Sequence, residues 1–101
     1  MQNSIPIINQ VFEIQTKLND LTDTTPFERN LNRLFAIFEE EGYVVKNPMH
    51  EPYQESRTDC EASIVGNINA KMKITKVLKP IIYQKTGAQM QLVQKAIVIV
   101  E

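Results

Sequence analysis

The chain has no tryptophan, one cysteine and three glycines among 101 residues, and neither sign of charge dominates. The single thiol, Cys60, cannot close an internal disulfide, so stability must come from packing or assembly, as suits a reducing compartment. The glycines stand alone at 42, 66 and 87, which leaves no glycine-rich loop to cradle a phosphate. Eleven basic side chains against twelve acidic ones give a net charge of −1, so no global field draws nucleic acid or anionic lipid. The longest apolar run near the end, Ala96 to Val100, is far below the roughly 20 residues a membrane helix needs. Residues Met1-Gln2-Asn3-Ser4 show no basic segment leading into an apolar one, so no signal peptide is visible. The expectation is a cytoplasmic protein with neither nucleic acid nor membrane as partner.

Catalytic and metal-binding groups are equally sparse. His50 has no cysteine or second histidine near it in sequence, so no zinc-type ligand set can be drawn, and it reads as a turn residue between Met49 and Glu51. Cys60 lies between Asp59 and Glu61, whose charges raise a thiol pKa and disfavour the thiolate. It reads as a packing residue. Glu39-Glu40-Glu41 fan out around a helix, so they do not form a paired acid and base. No enzyme, metal or cofactor is expected. A small enzyme or ligand-binding domain using His50 and Cys60 is the weakest of the alternatives.

What is present is an ordinary soluble composition, 43% hydrophobic and 23% charged, in a length that allows one small domain with or without a helical appendage. Ile7, Val11, Ile14, Leu18 and Leu21 repeat at four, three, four and three, the seam of a helix spanning about Ile5 to Leu21. Ile8 and Phe12 widen it. Ser4 can cap its start, and Pro6 sits in the first turn, where no donor is needed. Thr25-Pro26-Phe27-Glu28 then offers a cap, a first-turn proline and a capping-box glutamate for a second helix. Its apolar face is Phe27, Leu31, Leu34 and Phe38, joined by Phe35 and Ile37, and Gly42 stops it. Each helix is apolar over more than one neighbour can cover. The rest is covered either by the second half of the chain or by a second copy.

From Gly42 onward β-branched residues, prolines and turn formers replace the helical period. Tyr43 to Lys46, Ala62 to Ile68, Met72 to Leu78, Ile81 to Gln84 and Gln91 to Val100 read as short antiparallel strands of one sheet. Thr86-Gly87-Ala88-Gln89 is the clearest turn, and Pro80 marks a bend or edge between two strands. In the last strand both faces are apolar toward the end, so it is either central or presents a face to a partner.

In order, these segments resemble the GrpE family, the nucleotide exchange factors of DnaK-type chaperones. Ile5-Pro6-Ile7-Ile8-Asn9-Gln10-Val11 is similar to the leucine-proline-valine opening of the first short bundle helix, and Phe27 to Gly42 with Tyr43-Val44-Val45 resembles the second helix and its exit into the β-domain. Pro48-Met49-His50-Glu51-Pro52-Tyr53, Glu61-Ala62, Val77-Leu78 and Ala96-Ile97-Val98-Ile99-Val100 match later pieces of that domain. The chain departs from the pattern where Ile81-Ile82 replaces a glycine-tyrosine and Gln94-Lys95 an arginine-proline. It also opens close to the bundle, without the family's long coiled-coil helix, as a short form or a fragment would.

The resemblance implies an α+β fold. Residues 1–42 would form an antiparallel helical hairpin that dimerises into a four-helix bundle through Val11, Leu18, Leu31, Leu34 and Phe38, residues that could equally form an intramolecular core. Residues 43–101 would form a small, mostly antiparallel β-domain that meets the chaperone's ATPase domain through Leu78, Lys79 and Val100, with Pro80 shaping the turn. The implied function is a homodimeric co-chaperone that promotes ADP release, with a dimeric scaffold lacking exchange activity as the alternative.

Overall fold

The computed structural model describes residues 4–20, 25–66 and 71–101. Two helices, α1 (Ile5–Asn19) and α2 (Thr25–Glu40), precede six strands, β1 (Tyr43–Lys46), β2 (Cys60–Ile64), β3 (Ile74–Lys79), β4 (Ile81–Thr86), β5 (Gln89–Gln94) and β6 (Ala96–Val100). The class is α+β. Pro6 occupies the first turn of α1 as its missing donor allows, but Ser4 does not cap with its side chain. Ser4 Oγ donates instead to Glu41 Oε2 (3.0 Å), bringing the start of α1 beside the residue that follows α2. Leu21 and the capping bonds expected at Thr25 lie outside the described residues. α2 ends as expected, with the Gly42 N–H donating to the Glu39 carbonyl (2.9 Å) and Gly42 itself at φ 94°, a value L-residues with a side chain resist.

The single antiparallel sheet expected from the sequence is corrected to two three-stranded sheets, ordered β1-β4-β5 and β2-β6-β3. The first is antiparallel throughout, whereas β2 runs parallel to β6 in the second. The loop between β1 and β2 first carries the chain into the second sheet, and two tight corners make the later crossings. Pro80, fully buried between β3 and β4, turns the chain from the second sheet into the first. Lys95 does the reverse, so the expected strand from Gln91 to Val100 is two strands. Gln94 clamps that corner: its Nε2 donates to the Pro80 carbonyl (3.0 Å) and to Asn9 Oδ1 (2.8 Å), while Asn9 Nδ2 returns a bond to Gln94 Oε1 (2.8 Å). The β4–β5 hairpin closes through Gly87-Ala88, with Thr86 opposite Gln89 and Gly87 at φ 63°, as a two-residue turn with glycine first requires.

Two hydrophobic clusters result. One joins Phe12 of α1 to Cys60, Ile74, Val77, Ala96, Val98 and Val100 on the inner face of the second sheet and to Ile81 at the start of β4. The other joins Ile8, Val11, Leu31 and Phe38 of the helices to Tyr43 and Ile82 of the first sheet. Ile81 and Ile82, pointing to opposite sides of β4, therefore enter different cores. The expected strand from Ala62 to Ile68 starts at Cys60 and ends at Ile64, and Asn67 and Ile68 fall outside the described residues.

Candidate partner-binding surfaces

The four residues expected to meet a chaperone separate into two pairs. Leu78 is 47% exposed and Lys79 is exposed, whereas Pro80 and Val100 are buried within the chain and can only shape the surface. The exposure of Leu78 has a local cause. β3 pairs Val77 with Val98 and Lys79 with Ile97, so Leu78 is the extra residue of a bulge and projects out of the ladder. Lys76 and Lys79 lie directly across from Ile99 and Ile97, which places two cations beside two half-buried isoleucines on the sheet's outer face.

The five residues of the expected dimer seam also divide. Val11, Leu31 and Phe38 are buried in the chain's own second cluster, Leu18 is half-buried against it, and Leu34 is 37% exposed. The apolar surface left open on the helices lies beside that set. Ile7 and Ile14 on α1, one heptad apart, are 57% and 51% exposed, and Phe27, Leu34 and Ile37 are exposed on α2. The sequence seam included all of these positions except Ile37, which it assigned to the same helix face. Spacing alone could not divide it between an inner and an outer side.

A polar cluster that the sequence did not single out fixes the loop between β1 and β2. Arg57 Nε donates to Asp59 Oδ1 (2.6 Å), its Nη2 to Glu51 Oε1 (2.7 Å) and its Nη1 to the Pro52 carbonyl (3.1 Å). Hydrogen bonding to Arg57 holds the Asp59 carboxyl below its ordinary pKa, and the carboxylates raise that of the guanidinium in turn. The same loop is stitched to the start of β3 by His50 N–H to the Ile74 carbonyl (2.9 Å) and to the segment before it by Tyr53 N–H to the Met72 carbonyl (2.9 Å). His50 turns the loop with φ 69°. Cys60 is buried, and burial pushes its thiol up to about 11, so it stays protonated at neutral pH. Among the described residues no group of three or more His, Cys, Asp or Glu side chains could hold a metal ion, and no helix is long and apolar enough to cross a membrane.

Comparison with models of known protein families, with curated proteins and with solved structures returns no match. Functional assignment therefore rests on the residues themselves.

Proposed function

We propose that the chain is a GrpE-like co-chaperone, homodimeric through its helices, that binds the ATPase domain of a DnaK-type chaperone and promotes ADP release. The observation that carries this reading is the open stripe of Ile7, Ile14, Phe27, Leu34 and Ile37. Two short helices that keep a heptad-spaced apolar stripe after packing on their own sheets suit a second copy of the same stripe, as in a four-helix bundle. The order of sequence motifs that resembles the GrpE family supports the same reading, and so does the exposure of Leu78 and Lys79 on the β-rich half.

Exchange needs no covalent chemistry from this chain. A factor that binds the ATPase domain more tightly with its nucleotide cleft open than closed shifts the population toward the open state, and ADP leaves faster. Stopped-flow release of labelled ADP from the cognate ATPase domain tests this. We expect acceleration of roughly tenfold or more. Unchanged release despite tight binding would replace this reading with that of a dimeric scaffold, and no binding would remove both.

A further inference from the structure

β1 is an edge strand, paired to β4 on one side only. A groove of about 400 Å³ separates it from the helices and is lined by Tyr43, Val44 and Val45 in succession, a volume within the roughly 300–1,000 Å³ of ligand pockets. Successive strand residues point to opposite faces, so three in a row line one groove when it opens along the edge of the strand, where the outward N–H and C=O groups of β1 lie. Phe12, Phe35 and Tyr43 are the aromatic residues of the lining, of which Phe12 and Tyr43 are buried and Phe35 is half-buried, and Gln15, Asn32 and Asn47 are its amide residues. Among the described residues Glu39 is the charged one in the lining, and no lysine or arginine lines the groove.

We propose that this groove binds an extended polypeptide segment of a partner, added to β1 as a further strand, which lays a lysine or arginine stem against Phe35 and its cation against Glu39. Strand addition supplies main-chain hydrogen bonds, and the pocket for one side chain supplies selectivity. An aromatic ring beside a carboxylate favours a cation with an apolar stem, whereas an acidic segment would bring like charge to Glu39, the cation of β1, Lys46, lying outside the lining and 4.0 Å from Glu51. The helix period sets this groove apart from the open stripe. Asn32, Ala36 and Glu39 follow one flank of α2 at spacings of four and three, while Leu34 and Ile37 follow another, with successive residues about 100° apart. A second copy seated on the stripe leaves the groove open, so the inference does not depend on the proposed exchange function.

The test is fluorescence anisotropy of the full chain with two labelled pentapeptides, Thr-Val-Arg-Val-Thr and Thr-Val-Glu-Val-Thr. The arginine peptide is expected to bind at least about fivefold tighter, Glu39→Gln should remove that preference, and Ala36→Leu, which fills the groove from an exposed helix position, should abolish binding of both. Circular dichroism melts of the two variants verify that they fold. Equal binding of both peptides, or binding of neither, would overturn the proposal. Undiminished binding to a folded Ala36→Leu variant would do so as well, and so would a fall in solution mass on that substitution, because the groove would then belong to self-assembly.

Discussion

At the scale of single residues, Arg57 ties Asp59, Glu51 and the Pro52 carbonyl into one clip and so sets the path of the loop that leads into β2. The Asp59 carboxyl has a lowered pKa in the fold because Arg57 bonds its charged form. Its contribution is therefore fully present above the unfolded value of about 3.9 and is lost as pH falls through the lower folded value. Arg57→Ala should cost about 1–2 kcal/mol at pH 7, between the worth of a surface ion pair and that of a buried charged hydrogen bond. Urea midpoints measured from pH 7 to pH 2 should show the variant and parent converging in acid, and a constant gap would contradict the clip. Cys60 provides a second residue-scale prediction. With its thiol buried and its pKa pushed up to about 11, alkylation by iodoacetamide at pH 8 should be slow in the folded chain and rapid in urea, and equal rates would place the thiol at the surface.

At the scale of elements, the fold turns on the two tight corners, at Pro80 and Lys95, where the chain changes sheets within one residue. Ile82 is fully buried between the helices and the first sheet, so Ile82→Ala should cost about 2–5 kcal/mol, read as a loss in the free energy of chemical unfolding. A cost below about 1 kcal/mol would mean that the helices do not pack on that sheet. Much of this level was legible in the sequence. Helical period, Pro6, Gly42 and Gly87 each have a local physical meaning, and α1, α2, β1 and the β4–β5 turn fall where those residues put them. The division into two sheets was not legible, because nothing local distinguishes Gln94-Lys95 inside a strand from Gln94-Lys95 at a corner. What decides it is the bonding of Gln94 to Asn9 and Pro80, residues 85 and 14 positions away. The parallel pairing of β2 with β6 has the same long-range origin. For the candidate surfaces, spacing identified the apolar helix face but not which part of it the chain covers for itself, and alternation could not foresee the bulge that exposes Leu78.

At the scale of the whole molecule, the chain is a slab of 41 × 40 × 18 Å with a radius of gyration of 14.8 Å, wider than the roughly 13 Å of a compact chain of this length. A slab has much surface for its volume, and here part of that surface is the apolar stripe on the helices. Leu34 is the useful probe because it is 37% exposed within one chain. Leu34→Ala should therefore cost little in a monomer but about 2 kcal/mol or more where a second copy buries it, and the melting temperature of the parent should rise with protein concentration. A concentration-independent melt would leave the stripe solvated. The central claim, a dimer that engages a DnaK-type ATPase domain, is tested most directly by the solution mass from light scattering, alone and after mixing with that domain. The account predicts a mass near twice 11.6 kDa that increases by one ATPase domain on mixing, and a monomer that ignores the ATPase domain would contradict it.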